Sequence, residues 1–395
     1  MARSAPQAMR SEVPVILELA FRPFFLCASL WGALALALWI AILMAGVALP
    51  SRFDPLTWHI HEMLFGFALA VIAGFMLTAI PNWTGRPPIR GGRLAWLAIL
   101  WLLGRIACLM SALIPLRLAA AIDLAFPVAL CVVAAREIIA GRNWRNLAIP
   151  VPIAVLAAAD LLMYLEVAGV AVPTGLGWRL GLAAIIVLIS VMGGRIIPSF
   201  TRNWLVKCDA TKLPAVHGWI DRFSLGALHA GLIGWAFFPA SFPFGVLLLV
   251  ASALNLVRLA RWRGFATRAE PLLAILHLGY LWVIVGAALL GGSMLTNAVP
   301  EAAAIHALTA GVIGAMVLGV MTRVTLGHTG RALEADRITT LIYVLVNFAA
   351  LTRIVAAFVT GLSDSLLSVS AALWVASFTL FAIWYGPALW SSRVQ

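Results

Sequence analysis

Long apolar runs alternate with short polar breaks over the whole length of the chain. About 20 apolar residues in helical form cross the ~30 Å hydrocarbon layer of a bilayer. Twelve such runs can be placed, near 24–48, 57–80, 93–113, 117–136, 147–167, 177–200, 218–238, 242–260, 271–291, 302–324, 338–360 and 365–388. They are continuous, without the alternation that marks a β-barrel strand, so each predicts a helix. The breaks leave no room for a soluble domain. The predicted fold is all-α: a polytopic membrane protein of twelve transmembrane helices, with residues 1–395 forming a single transmembrane domain.

Composition agrees. The chain is 63% hydrophobic and 11% charged, whereas soluble domains carry about 25% charged residues. The formal charge of +12 would suit nucleic acid, but its distribution argues against such a partner. Eighteen of the 27 Lys and Arg lie in the connections after helices 2, 4, 6, 8 and 10 and at the flanking helix ends. The connections after odd helices hold three: Arg52, Arg117 and Arg179. This is the positive-inside bias, and it predicts that both termini are cytoplasmic. The first twenty residues are mixed polar and predict no cleavable signal peptide. Cys27, Cys108, Cys131 and Cys208 are scattered singly. Without CxxC or CxxCH, a disulfide framework, a thioredoxin-type site and covalent haem attachment are all unsupported.

The chain also resembles itself. Residues 61–86 laid over 306–331 without gaps give eight identities. His61 falls on His306, Gly66 on Gly311, Ala70 on Ala315, Gly74 on Gly319 and Met76 on Met321. Thr84, Gly85 and Arg86 fall on Thr329, Gly330 and Arg331. Helices 2 and 10 run in the same direction, so the repeat is parallel and built on four-helix units. The exit of helix 6, "RIIPSFTRNW", is a weaker third copy of "AIPNWTGR". Small residues such as Gly66 and Gly311 let a neighbouring helix or a flat ligand approach the backbone.

Ionisable groups are costly inside a membrane and mark functional positions. Threading the helices puts His59, His61, Glu62, Arg105, Asp123, Asp160, His306 and Arg353 in the outer half. Arg105 and Asp123 read as a structural ion pair between helices 3 and 4. His59 and His61 are two residues apart, hence about 200° apart on a helix, and cannot easily bind one ion together. Glu62 lies on nearly the same face as His59 and could orient its ring. There is no HExxH, phosphate loop or serine-hydrolase triad. On the inner side His277 and His328 share a depth, with Arg323 nearby. His229 reads as a helix–helix hydrogen bond and His217 as a loop residue.

Five segments carry a family resemblance: "FRPFFL" at 21–26, "WHIHEMLFGF" at 58–67, "GFMLTAIPNWTGRPP" at 74–88, "LHLGY" at 276–280 and "HALTAGVIGAMVLGVMTRVTLGHTGR" at 306–331. On these the chain resembles the NnrS family of bacterial inner-membrane proteins. The resemblance implies non-covalent haem, of b type, together with copper and a role in nitric oxide stress. It leaves open whether the protein is a redox enzyme turning over nitric oxide or a binding protein. A looser architectural likeness is to haem–copper oxidase subunits, where histidines of helices 2 and 10 ligate one haem. Helix 7 here lacks the paired copper histidines, so that likeness stays at the level of fold.

These readings combine into site expectations. His61 and His306 are expected to ligate haem iron, with Gly66 and Gly311 lining its face. His59 is expected at a second metal, copper, oriented by Glu62. His277 and His328 are expected to approach one cofactor edge, with Arg323 meeting a propionate. The competing reading is a carrier of a metal, haem or an iron–nitrosyl complex, since parallel repeats and midplane polar groups occur in transporters too.

Overall fold

The computed structural model describes residues 13–394, and no strand occurs among them. Twelve long helices form the body: α1 (Phe21–Ala45), α2 (Pro55–Thr84), α3 (Gly92–Leu109), α4 (Leu116–Ala140), α5 (Pro150–Val167) and α6 (Leu176–Lys207). The chain continues through α7 (Trp219–Phe237), α8 (Phe242–Ala260), α9 (Pro271–Leu295), α10 (Glu301–His328), α11 (Arg337–Phe358) and α12 (Ser363–Trp390). Eleven are long and apolar enough to cross a membrane. The other, α7, carries Asp221, Arg222 and His229 within its 19 residues. The chain is a multi-pass membrane protein. Arg3 and Arg10, which add to the basic charge at the N-terminus, lie outside the described residues.

Consecutive helices pack side by side, and α12 returns to pack on α1, closing a ring. Three helices stand inside it. α2, α6 and α10 touch one another, and 83%, 61% and 72% of their most apolar stretches are buried. Each is the second helix of a four-helix unit: α1–α4, α5–α8 and α9–α12. The weak third copy seen at the exit of helix 6 thus has a structural counterpart.

The units repeat in detail. α2 starts where Asp54 accepts hydrogen bonds from the Leu56 and Thr57 amides at 3.0 and 3.1 Å, with Pro55 in the first turn, a strong start signal. It ends at Gly85, whose φ of 69° is a left-handed cap that glycine adopts without strain. Gly330 takes φ 77° after α10. Thr84 and Thr329 each donate to the carbonyl four residues back, Ile80 at 2.8 Å and Thr325 at 2.6 Å. The repeated Thr-Gly pair is therefore a helix-stop device.

Two of the three inner helices also carry a stretch of π-helix, Glu62–Ala68 in α2 and Ala307–Ile313 in α10. The two stretches occupy the same register of the repeat, each starting just after its histidine. The wider turn inserts an extra residue and re-aims the side chains around it, and such stretches recur at functional sites. The similarity extends to the preceding helices. A Cβ on Gly66 would lie 2.6 Å from Trp31 of α1, and one on Gly311 2.7 Å from Trp282 of α9. A Cβ on Gly74 would meet Phe25 of α1, and one on Gly319 Leu276 of α9, each at 2.9 Å. Gly66 and Gly311 were expected to face a flat cofactor; tryptophans from the neighbouring helix fill those spaces instead.

The charge distribution gives an expected orientation. Cys208 is exposed just after α6, in a basic connection expected to face the cytoplasm. In a variant whose only cysteine is Cys208, a membrane-impermeant maleimide is expected to label inverted vesicles and spare intact cells. Labelling of intact cells would reverse the assigned orientation.

Candidate functional site

His61 leaves the last α-helical turn before the π stretch of α2 and points toward α3, α4 and α5. Its ring is fully buried. Nε2 lies 2.8 Å from Asp160 Oδ1 of α5 and 3.3 Å from Asp123 Oδ2 of α4. Nδ1 lies 3.3 Å from Glu62 Oε1 and 3.4 Å from Cys108 Sγ of α3. Arg105 donates to Glu62 at 2.8 Å and also bonds Asp123. The expected Arg105–Asp123 pair is therefore present, with Glu62 as a further partner. Trp31 donates to Glu62 Oε2 at 2.8 Å and Tyr164 to Asp123 Oδ2 at 2.9 Å. Phe53 and Phe65 wall the imidazole, with ring centroids 5.1 and 5.2 Å away. Breaking a buried ion pair leaves an uncompensated charge at a cost of about 3–5 kcal/mol, so these contacts hold one another in place.

His59 and His306 stand elsewhere. Both line a cavity of about 330 Å³ enclosed by α1, α2, α6, α10, α11 and α12. Its wall is mainly apolar and aromatic, including Trp39, Phe67, Trp178 and Trp374. Arg353 of α11 completes it. His59 stacks on Trp39 with centroids 4.8 Å apart and planes 15° apart. Its Nδ1 is buried with no hydrogen-bond partner. His306 Nδ1 lies 2.7 Å from the Ala302 carbonyl. A carbonyl only accepts, so Nδ1 carries the proton and Nε2 keeps a free lone pair. Arg353 has no hydrogen-bond or ion-pair partner among the described residues. The carboxylate in the lining, Glu301, is exposed at the start of α10.

This geometry corrects the expected pairing. His61 and His306 are equivalent in sequence but do not share a site. Equivalent residues of a ring of repeated units face equivalent, different neighbours: His61 turns to the helices that follow α2, His306 to those that follow α10 and on to α1. The expected role of Glu62 is corrected too. It binds the ring of His61, not His59, because Trp31 and Arg105 draw its carboxylate into the polar group.

The same comparison uncovers a residue whose role sequence reasoning missed. Leu103-Gly104-Arg105-Ile106 in α3 matches Leu351-Thr352-Arg353-Ile354 in α11. In the first unit the arginine meets two carboxylates beside His61. In the third, Ala307 stands where Glu62 stood, and Arg353 faces a cavity beside His306 and His59 without an acid to bond. The repeated Leu-x-Arg-Ile was the available signal.

The inner-side expectations are also corrected. His277 Nε2 pairs with Thr201 Oγ1 of α6 at 2.9 Å, and its ring faces Trp262. His328 bonds the Val324 carbonyl at 3.1 Å, and its ring faces Phe21 of α1. The two histidines look to different helices. The Arg323 guanidinium lies 4.1 Å from the Phe200 ring centre, a cation–π contact. Packing against these separate partners leaves no common cofactor edge. His229 bonds Ser190 of α6 at 2.9 Å, the helix–helix role read from its isolation.

A model of the NnrS protein family matches residues 15–393, nearly the whole chain. No match is found among curated proteins. The matched span includes His59, His61 and His306, both π stretches and all twelve helices, and the chain belongs to the NnrS protein family.

Proposed function

We propose that this chain is a haem–copper protein of the bacterial inner membrane that binds nitric oxide or its products, in nitric oxide metabolism or protection from nitrosative stress. One observation carries the reading: His59, His306 and the unpaired Arg353 converge on one largely apolar cavity. Its volume of about 330 Å³ falls in the range of small-ligand and cofactor sites. Apolar walls, metal-ready imidazoles and a free guanidinium together suit a flat apolar group that carries carboxylates. The donor chemistry therefore fits haem, with His59 and His306 as the residues that would hold it.

The protein's share of the work follows from its own groups. The Ala302 carbonyl holds the His306 proton on Nδ1 and keeps Nε2 available as a ligand atom. Trp39 fixes the plane of His59 by stacking. Arg353 can bind a carboxylate with both arms of its fork. Trp178, Trp374 and Phe67 give the cavity an apolar wall, beside which each of these interactions is stronger than in bulk water. Haem held there would supply an iron centre, the chemistry that binds nitric oxide. With the cavity imidazoles assigned to haem, copper belongs to a different set of donors.

The purified protein is expected to show a Soret band that shifts with nitric oxide. His59→Ala and His306→Ala should each abolish or shift it, while His61→Ala leaves haem in place. Full haem content and an unchanged spectrum in both cavity variants would sink the assignment. Arg353→Leu should weaken haem retention about tenfold, as expected for losing one charge-assisted hydrogen bond of about 1.5 kcal/mol. A haem-titration midpoint unchanged by that substitution would remove Arg353 from the site.

A further inference from the structure

The group around His61 is separate from the cavity and has an unbalanced charge. Glu62, Asp123 and Asp160 are three carboxylates with no exposed surface, and Arg105 is the one guanidinium bonded among them. Buried charges have to be compensated where water is absent. With all three ionised, two positive charges are missing: a proton on His61 supplies one, and a second proton on a carboxylate or a bound cation has to supply the other. One atom of the group remains without a partner as well: Asp160 Oδ2 is buried and bonded to nothing, although Oδ1 of the same carboxylate meets His61.

We infer that His61, Asp123 and Asp160 form a site for a divalent first-row transition-metal ion. Neutral His61 gives Nε2, and the two aspartates give carboxylate oxygens. The dipositive ion replaces the imidazole proton and brings the buried sum to zero in one step. Nitrogen and oxygen bonds of about 2.1 Å to such an ion set ligand–ligand edges of roughly 3.0–3.4 Å. His61 Nε2 stands 3.3 Å from Asp123 Oδ2, inside that range, and 2.8 Å from Asp160 Oδ1, so the Asp160 carboxylate has to shift outward by a few tenths of an ångström to share the ion. The three donor atoms all lie within 4.8 Å of one another.

The surroundings hold those donors in place. Tyr164 donates to Asp123 Oδ2 while Arg105 takes Oδ1, which fixes the carboxylate plane. Such supporting bonds tune both ligand basicity and orientation. Cys108 and Glu62 sit at the other ring nitrogen. They form a second candidate triad with His61, but Glu62 is already held by Arg105 and Trp31. Imidazole with carboxylates suits a borderline or hard divalent ion better than soft cuprous copper. The site itself rests on these atoms alone. Only the choice of Cu²⁺ as its ion rests on the haem–copper reading, and the two fail in different measurements.

The test is metal analysis of protein purified from metal-replete cells, with haem iron counted separately by its pyridine complex. Wild type is expected to carry stoichiometric non-haem divalent metal. Asp160→Asn and Asp123→Asn should lower it by about tenfold or more, in line with the loss of donor groups at metal sites, and leave the Soret band intact. Cys108→Ser should keep the ion. Because the aspartate variants could fail to fold, wild type alone supplies a second readout. Stripped with chelator and titrated with Cu²⁺, it should give an electron paramagnetic resonance spectrum with hyperfine coupling from one imidazole nitrogen. Coupling from two would move the ion to His59 and His306 and overturn the inference. So would folded wild type that takes up no Cu²⁺, or aspartate variants with undiminished metal.

Discussion

A guanidinium cannot stay charged inside a hydrocarbon layer without partners, and that constraint organises this bundle. Arg105 is 1% exposed and is held between Glu62 of α2 and Asp123 of α4. Those two bonds pull three helices together at one depth. They also bring His61, Asp160, Cys108 and Tyr164 into contact around the same point. Gly66 belongs to the same device. A Cβ there would lie 2.6 Å from Glu62 and 3.0 Å from Arg105, so the residue is small because the ion pair needs the space.

The third unit relaxes this constraint, and the candidate chemistry arises there. Arg353 repeats Arg105 in sequence, but the acid is gone and a cavity has opened beside it. A cation left in this state favours any ligand that brings negative charge, and its neighbours His59 and His306 add nitrogen donors. One repeated arrangement thus takes two forms. The first unit pairs its arginine with two carboxylates of its own, and the third leaves its arginine to be paired from outside. The second unit follows neither pattern. Its Arg258 bonds Asp221 at 3.0 Å and also meets Tyr280, whose hydroxyl donates to Asn255 at 2.7 Å, an interhelical network.

The amino-acid sequence by itself determined the class, the twelve helices, their boundaries to within several residues, and the repeat. Each rests on local physics: apolar run length, the Asp54–Pro55 start, the Gly85 and Gly330 stops. It also determined which polar residues share a depth, because rise per residue converts position into height. The opposed directions of His59 and His61 followed from helical angle alone. Which groups meet was decided only by tertiary structure. Depth and helical angle do not say which neighbour a face will find, and equivalence within a repeat suggests a shared site where a ring of units dictates separate ones. His61 went to the acids of α4 and α5, and His59, from the same helix, joined His306. The π stretches were equally illegible, since no local propensity in Glu62–Ala68 or Ala307–Ile313 marks a change of helical pitch.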